Sequence, residues 1–576
     1  MTGAPLTAAA LLFAAVATIV IGMYGVRLSR TTSDFLVASR SIGPQWNAAA
    51  ISGEYLSAAS FLGVAGLIAK YGADALWYPV GFTAGYLGLL LFVAAPLRRS
   101  GAYTVPDFAE FRLGSVRLRK VAMLVVVMIC LFYLAPQYQG AGLALKTLLG
   151  VPVWIGPLSV GAIVIMNVVA GGMRSITFVQ AFQYWLKLTA VAIPALALLG
   201  LFVGDRGELG GPLPPTVQHQ TTVQIETDVV VQVIEPAGIT VTGDLDGRHV
   251  DSATITAPGQ HTLGAGTALT LAAGAATPVV AGTPGTGSEW IASGGGLGGG
   301  HPLYQVLSII VATFLGTLGL PHVLVRFYTN PDGQAARRTA LAVVALLSVF
   351  YLFPVLLGVF SRLYVPQLLI TGTADAAVLL APGAAVGGVG GQLLAALVAA
   401  GAIAAFLATS SGLLVSIAGA LATDVLRGRV RDFRVAAVVG GLIPIPLSLM
   451  VSGLELSRSV GLAFAVAAST LCPLLVLGIW WRGLTAVGAA CGLVVGGSVC
   501  GGAVLVAITG GVDDALLGGW PAVMVDYPAA VSVPIAFLTM IGVSLVTRPT
   551  PGVAQIFARM HVPERLGLGI ERLPTG

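Results

Sequence analysis

Residues 47–72 read NAAAISGEYLSAASFLGVAGLIAKYG. The run has the length of a bilayer-crossing helix, about 20 residues, yet Ser52, Gly53, Glu54, Tyr55, Ser57 and Ser60 interrupt it near mid-depth. Small and hydroxyl-bearing residues let a helix unwind, which frees carbonyls for a cation and amide groups for an anion. Irregular backbone survives at that depth only where it is buried in protein or lines a cavity. Glu54, an ionisable residue inside a span, is a functional candidate by default. The competing reading is close helix packing through Ser57 and Ala58, with Glu54 paired to a neighbour. We expect an unwound segment over Gly53–Leu56.

The rest of the chain has the composition such a helix needs around it. Of 576 residues, 56% are hydrophobic and 9% charged, against about 25% charged in a soluble domain. One water-facing core cannot hold that much apolar surface, since single cores stop growing near about 250–300 residues. The four cysteines, Cys130, Cys472, Cys491 and Cys500, lie in apolar runs without metal-ligand spacing and read as packing residues. The net charge of +5 implies no nucleic-acid partner and is tested first as loop asymmetry.

Apolar runs near 6–26, 46–69, 78–97, 121–144, 152–171, 179–203, 303–325, 339–361, 390–423, 435–452, 459–481, 484–510 and 528–547 give about thirteen spans in the lipid bilayer. The first run ends in Arg27 and Arg30 and reads as a retained span rather than a cleaved signal. With the N-terminus outside, about 22 cationic residues fall in inner loops against 6 in outer ones, and Lys187 is left inside a span. The positive-inside rule therefore predicts an outside N-terminus and a cytoplasmic C-terminus in the plasma membrane. The chain divides into transmembrane helices 1–6 over 1–203, an extracellular insertion over 204–302, helices 7–13 over 303–547 and a cytoplasmic tail over 548–576.

Within the insertion, TTVQIETDVVVQVIEP and GITVTGDLDG alternate apolar and polar residues between Gly and Pro, the pattern of short strands. A small β-rich domain is expected, with SGGGLGGG (293–300) as a flexible tether; a disordered spacer is the alternative.

A second interruption lies in AAFLATSSGLLVSIAGALATDVLRGR, where Thr409, Ser410 and Ser411 stand in succession inside an apolar span. Each hydroxyl can bond back to a carbonyl of its own helix. A hard cation, however, takes several oxygens, and hydroxyls plus carbonyls supply them without a full buried charge. Asp424, at the inner end of this span, reads as an ion-pair partner of Arg.

These stretches together carry a family resemblance. SDFLVASRSIGP, SGEYLSAASFLG, GGMRSITFVQAFQ, GTLGLPHVLVRFYTNPD and ATSSGLLVSIAGALATD, spread over about 33–424, resemble the sodium:solute symporter family and within it the acetate or monocarboxylate branch. The resemblance implies an all-α polytopic fold of the leucine-transporter type, a five-plus-five inverted repeat. It also implies a Na+ site between the second and ninth spans, with carbonyl ligands at Gly53, Leu56 and Ala405 and hydroxyl ligands at 408 and 409. Position 408 is Ala, so one hydroxyl is missing: Ser411 or water replaces it, or the site is weaker for sodium, or coupling is to protons. Gln180 stands where many members carry Asp and is similar to the acetate branch. Glu54, Gln180 and Ser411 are thus candidates for coupling, and Ala408 and Thr409 for the cation site.

A short carboxylate needs donors but little side-chain selectivity, and amide groups at broken helix ends carry partial positive charge without an intramembrane Arg. No Arg is expected at the centre; the candidate donors are Tyr55, Ser57, Gln137, Gln139 and Thr317. His322 reads first as a satisfied packing residue and second as a proton carrier. The expectation is a symporter that imports small monocarboxylates (acetate, propionate, pyruvate class) with Na+, or alternatively H+, as coupling ion and no enzyme cofactor. An enzyme would need a convergent nucleophile and base or a metal set, and a transporter-like sensor would normally carry a cytoplasmic signalling domain.

Overall fold

The computed structural model describes residues 4–26, 42–205, 208–298, 300–371, 374–426, 429–451, 454–508, 519–548, 551–562 and 566. Arg27, Arg30, Arg40, Arg427 and most of SDFLVASRSIGP lie outside them. Among the described residues, eleven helices are long and apolar enough to cross a membrane, or twelve with the bent pair Trp520–Asp526 and Ala529–Leu545. One of these stretches, Ala59–Ser100, is 42 residues long, about 63 Å at 1.5 Å per residue, twice a hydrocarbon layer. It reverses at the turn Gly72–Leu76, where Gly72 has φ +65°. As a result the Tyr55 hydroxyl, before the turn, donates to the Phe82 carbonyl after it at 3.0 Å. That extra crossing accounts for the about thirteen spans read from the sequence.

The helix Pro44–Tyr55 ends at Leu56, whose ψ of 84° leaves the helical region. The chain resumes with a π-turn, Ala59–Gly63, and the helix Val64–Tyr71. The break therefore falls at Leu56–Ser57, at the end of the predicted Gly53–Leu56 segment; Gly53 and Glu54 remain helical. Facing this broken helix is one continuous helix, Gly388–Asp424, buried almost throughout. Between them passes Ser175–Gly204, separated from Ile155–Met173 by a kink at Gly172 (φ 58°, ψ −165°). A further break at Leu320 separates Pro302–Gly319 from Pro321–Phe327.

The insertion is a folded sheet, not a spacer. Its strands are β1 (Thr221–Gln224), β2 (Val229–Val233), β3 (Ile239–Leu245), β4 (Arg248–Thr254), β5 (Gly259–Leu263), β6 (Ala268–Leu271) and β7 (Val279–Val280). They pair antiparallel in the order β1-β6-β3-β5-β2-β7, with β4 on β3. Val231, Val233, Val241 and Leu269 bury one face, together with Ile370 from the helical body.

The stretch expected to be a flexible tether is held in place. Asp74, itself buried, accepts from the amides of Gly294 and Gly296 at 3.0 and 2.7 Å, while the Gln305 side chain bonds Leu297 and Gly298. Gly294 and Gly296 have φ of 103° and 76°, which turns successive N–H groups toward one carboxylate. The low complexity of SGGGLGGG reflects backbone wrapped around an anion rather than freedom.

On the same face Asp375 is buried and accepts from the Leu456 amide at 2.9 Å, beside Glu455, which pairs with Lys70 at 3.2 Å. Burial, reinforced by Glu455, pushes its carboxyl up to about 7. The folded state then holds this proton where the unfolded chain has lost it, so stability is full at acid pH and falls as pH rises through 7. The drop is expected to approach at most about 1.4 kcal/mol per pH unit. Thermal unfolding at pH 5.5 and 8 checks it, and Asp375→Asn should flatten the difference.

Candidate functional site

The broken helix brings the predicted residues to one crossing but assigns them different partners. The carbonyls of Gly53 and Leu56, implied cation ligands, both accept from the Lys187 amino group, Leu56 at 2.7 Å. Lys187 is fully buried. Thr409 donates to the Glu54 carbonyl at 2.5 Å, and the Ala408 carbonyl accepts from Gln180 at 2.8 Å. Ala405 is buried one turn before Thr409; Ser411, two residues beyond it, lies on another helix face.

This donor set does not fit a sodium ion. The hydroxyl ligand at 408 is absent, and two of the carbonyls are taken by the Lys187 amino group.

The carboxylate of Glu54 meets a second buried basic residue, Arg326, a correction to the expectation of no Arg at the centre. Arg326 donates to Glu54 Oε2 at 2.7 Å and to the Thr177 hydroxyl at 2.7 Å, and it also bonds Gln180 Oε1. Both members of the pair are about 1% exposed. Charge counting had put Arg326 in an inner loop. The break at Leu320 and the short helix after it turn the side chain back into the bundle. Gln180 thereby links both helices, its oxygen on Arg326 and its nitrogen on Ala408. Gly412 permits the approach: a Cβ there would stand 1.8 Å from Glu54 Oε1.

Of the substrate candidates, Tyr55 and Thr317 are hydrogen-bonded to each other at 2.8 Å. Ser57 lies beside the Tyr133 phenol. Gln137 caps the second half-helix, accepting from the Ala58 amide at 2.9 Å. Gln139, two residues on and so on another face, donates to the Leu454 carbonyl at 2.7 Å, away from this group. The sequence reading missed Tyr86 and Tyr133. Tyr86 packs edge-on against Tyr55 with ring centres 4.7 Å apart, and Tyr133 packs against His322 at 5.2 Å. His322 is not the satisfied packing residue expected. It is fully buried, and neither ring nitrogen has a hydrogen-bond partner; the Tyr86 hydroxyl and Glu54 Oε1 also lack one. Buried polar atoms are nearly always paired, so the polar atoms near the helix break that no protein group among the described residues satisfies set this region apart. The signal for Tyr133 was its position one turn before Gln137, whereas nothing near Tyr86 in the sequence had been singled out.

Asp424 pairs as expected, with Arg119 at 2.5 Å; Arg119 also pairs with Asp107 and Glu110. Among the described residues no group of three His, Cys, Asp or Glu side chains could hold a metal ion.

Known proteins share this architecture. The model of the sodium:solute symporter family matches residues 35–212 and 292–496, leaving most of the sheet insertion outside. The "Uncharacterized symporter YwcA" of Bacillus subtilis is 30% identical over 98% of this chain and 99% of its own length. The "Monocarboxylic acid transporter" of Corynebacterium glutamicum is 30% identical over 95% of this chain and 93% of its own. Among solved structures, a Na+-coupled sialic acid symporter in a substrate-bound outward-open state superposes with a TM-score of 0.62 at 13% identity, over 94% of this chain and 98% of that one. That likeness is one of fold, and it agrees with the leucine-transporter-type arrangement expected from the sequence.

Proposed function

The chain belongs to the sodium:solute symporter family, and from that premise we propose that it imports short-chain monocarboxylates, of the acetate, propionate and pyruvate class, together with a cation. The observation that carries the reading is the helix broken at Leu56–Ser57 beside a buried group of unpaired polar atoms, Tyr86 and His322 foremost. Around it Tyr55, Ser57, Tyr133 and Thr317 supply hydroxyls, a set that suits a small anion with little side chain to recognise. The name of the Corynebacterium relative supports the substrate class. The strong inner bias of Lys and Arg supports an outside N-terminus and a cytoplasmic C-terminus in the plasma membrane.

A cation moving down its gradient drives the solute only if it binds one orientation of the carrier better than the other. Of the two coupling ions, one observation favours the proton over sodium: the Lys187 amino group already rests on the Gly53 and Leu56 carbonyls.

Uptake of labelled acetate into proteoliposomes, with pH and sodium gradients imposed separately, tests the reading. Accumulation under one gradient, with competition by propionate and pyruvate, is expected. No accumulation of any monocarboxylate under either gradient would remove the substrate class.

A further inference from the structure

We infer that the amino group of Lys187 takes the place of a coupling cation on the carbonyls at the crossing of the broken helix with Gly388–Asp424, and that sodium does not bind there. The inference deepens the symport reading and rests on it for its meaning in transport, while the binding claim stands on geometry alone. Lys187 lies more than 130 positions from its two acceptors, Gly53 and Leu56, yet both carbonyls converge on its nitrogen. Two carbonyls largely satisfy the N–H donors of a lysine amino group, whereas sodium would need further oxygens that this crossing commits elsewhere. Thr409 is turned to the Glu54 carbonyl, the Ala408 carbonyl holds Gln180, and Ala408 has no hydroxyl.

Charge balance points the same way. The carboxylate bearing on Lys187 is Glu54, and Arg326 already pairs with it. Of the other elements packed against Ser175–Gly204, the helix Ala4–Val26 carries no Asp, Glu, Lys, Arg or His. Gly388–Asp424 carries only Asp424 at its far end, held by Arg119. Gly333–Tyr364 carries Arg337, Arg338, Arg362 and tyrosines but no carboxylate. Val116–Leu149 carries Arg117, Arg119, Lys120 and Lys146 toward its ends, besides Cys130, Tyr133 and Tyr138. Val430–Leu442 carries Arg431, Asp432 and Arg434. A sodium ion added beside Lys187 would find no uncommitted negative partner on these elements.

The test is binding of radioactive Na+ to the purified full chain without substrate, joined to labelled propionate uptake. The wild type is expected to show no saturable Na+ binding. Lys187→Ala, which uncovers the two carbonyls and opens room for water to complete the oxygen set, is expected to gain saturable Na+ binding. Lys187→Arg keeps a fixed cation and guards against a folding defect in the first variant; it should bind no Na+. In proteoliposomes at equal pH, a sodium gradient is expected to drive the wild type no better than a potassium gradient. Saturable Na+ binding by the wild type or by Lys187→Arg, a folded Lys187→Ala that binds none, or sodium-driven accumulation by the wild type overturns the inference. Absence of propionate uptake under every gradient, with the Na+ binding pattern as expected, would instead count against the substrate reading.

Discussion

Replacing Arg326 with Met is expected to lower stability by about 3–5 kcal/mol, because it leaves Glu54 as an uncompensated charge in a dry interior. The guanidinium holds Glu54, Thr177 and Gln180 at once, so its loss also releases the link from Gln180 toward Ala408. The physical signature is in the double variant. Glu54→Gln with Arg326→Met removes both charges, and a neutral pair of similar volume is often no worse than a buried ion pair. The double variant should therefore recover most of the lost stability in thermal unfolding of the purified protein, while transport stays low because the coupling candidate Glu54 is gone. An Arg326→Met protein within about 1 kcal/mol of wild type would show that Glu54 is not charged in the fold, or that water reaches it.

The second large effect is expected from Gly53→Ala. A Cβ at Gly53 would stand 2.2 Å from the Gln180 carbonyl oxygen and 3.0 Å from its carbon. Backbone cannot swing aside as a side-chain end can, so the Pro44–Tyr55 helix must move away from Ser175–Gly204. Overpacking of this kind costs about 1–3 kcal/mol. Here it also carries the Gly53 carbonyl away from Lys187, and uptake is expected to fall by at least about ten-fold, as for a displaced catalytic or binding group. Gly502→Ala is the control: its Cβ meets nothing within 4 Å, and Ala is favoured over Gly in a helix by up to about 1 kcal/mol. Equal uptake by Gly53→Ala and Gly502→Ala would mean that the close approach at Gly53 has no part in transport.

The legible part of the site was the part written in local sequence. Ser52 to Ser60 announced a broken helix because polar letters inside an apolar run have few other uses at that depth. Thr409 stood out for the same reason, and the Val and Ile alternation of 221–245 announced strands. The misreadings share one cause. Arg326 was counted with the inner loops, and Lys187 was left over from the loop count; both are cations whose partners lie more than 130 positions away. His322 was read as satisfied, whereas neither of its ring nitrogens finds a partner among the described residues. The Gly-rich tether was read as mobile because Asp74, the anion it surrounds, precedes it by about 220 residues.

By itself the sequence determined the solvent, the spans, the position of the helix break and the presence of the sheet insertion. Each of these follows from the free energy of placing a residue in lipid, water or a pleated strand, a property of that residue and its near neighbours. Tertiary structure alone decided which charge meets which: Glu54 with Arg326, and Lys187 with the carbonyls of Gly53 and Leu56. In a low-dielectric interior those pairings depend on distances of a few ångströms between helices remote in the chain, and no spacing within one helix encodes them.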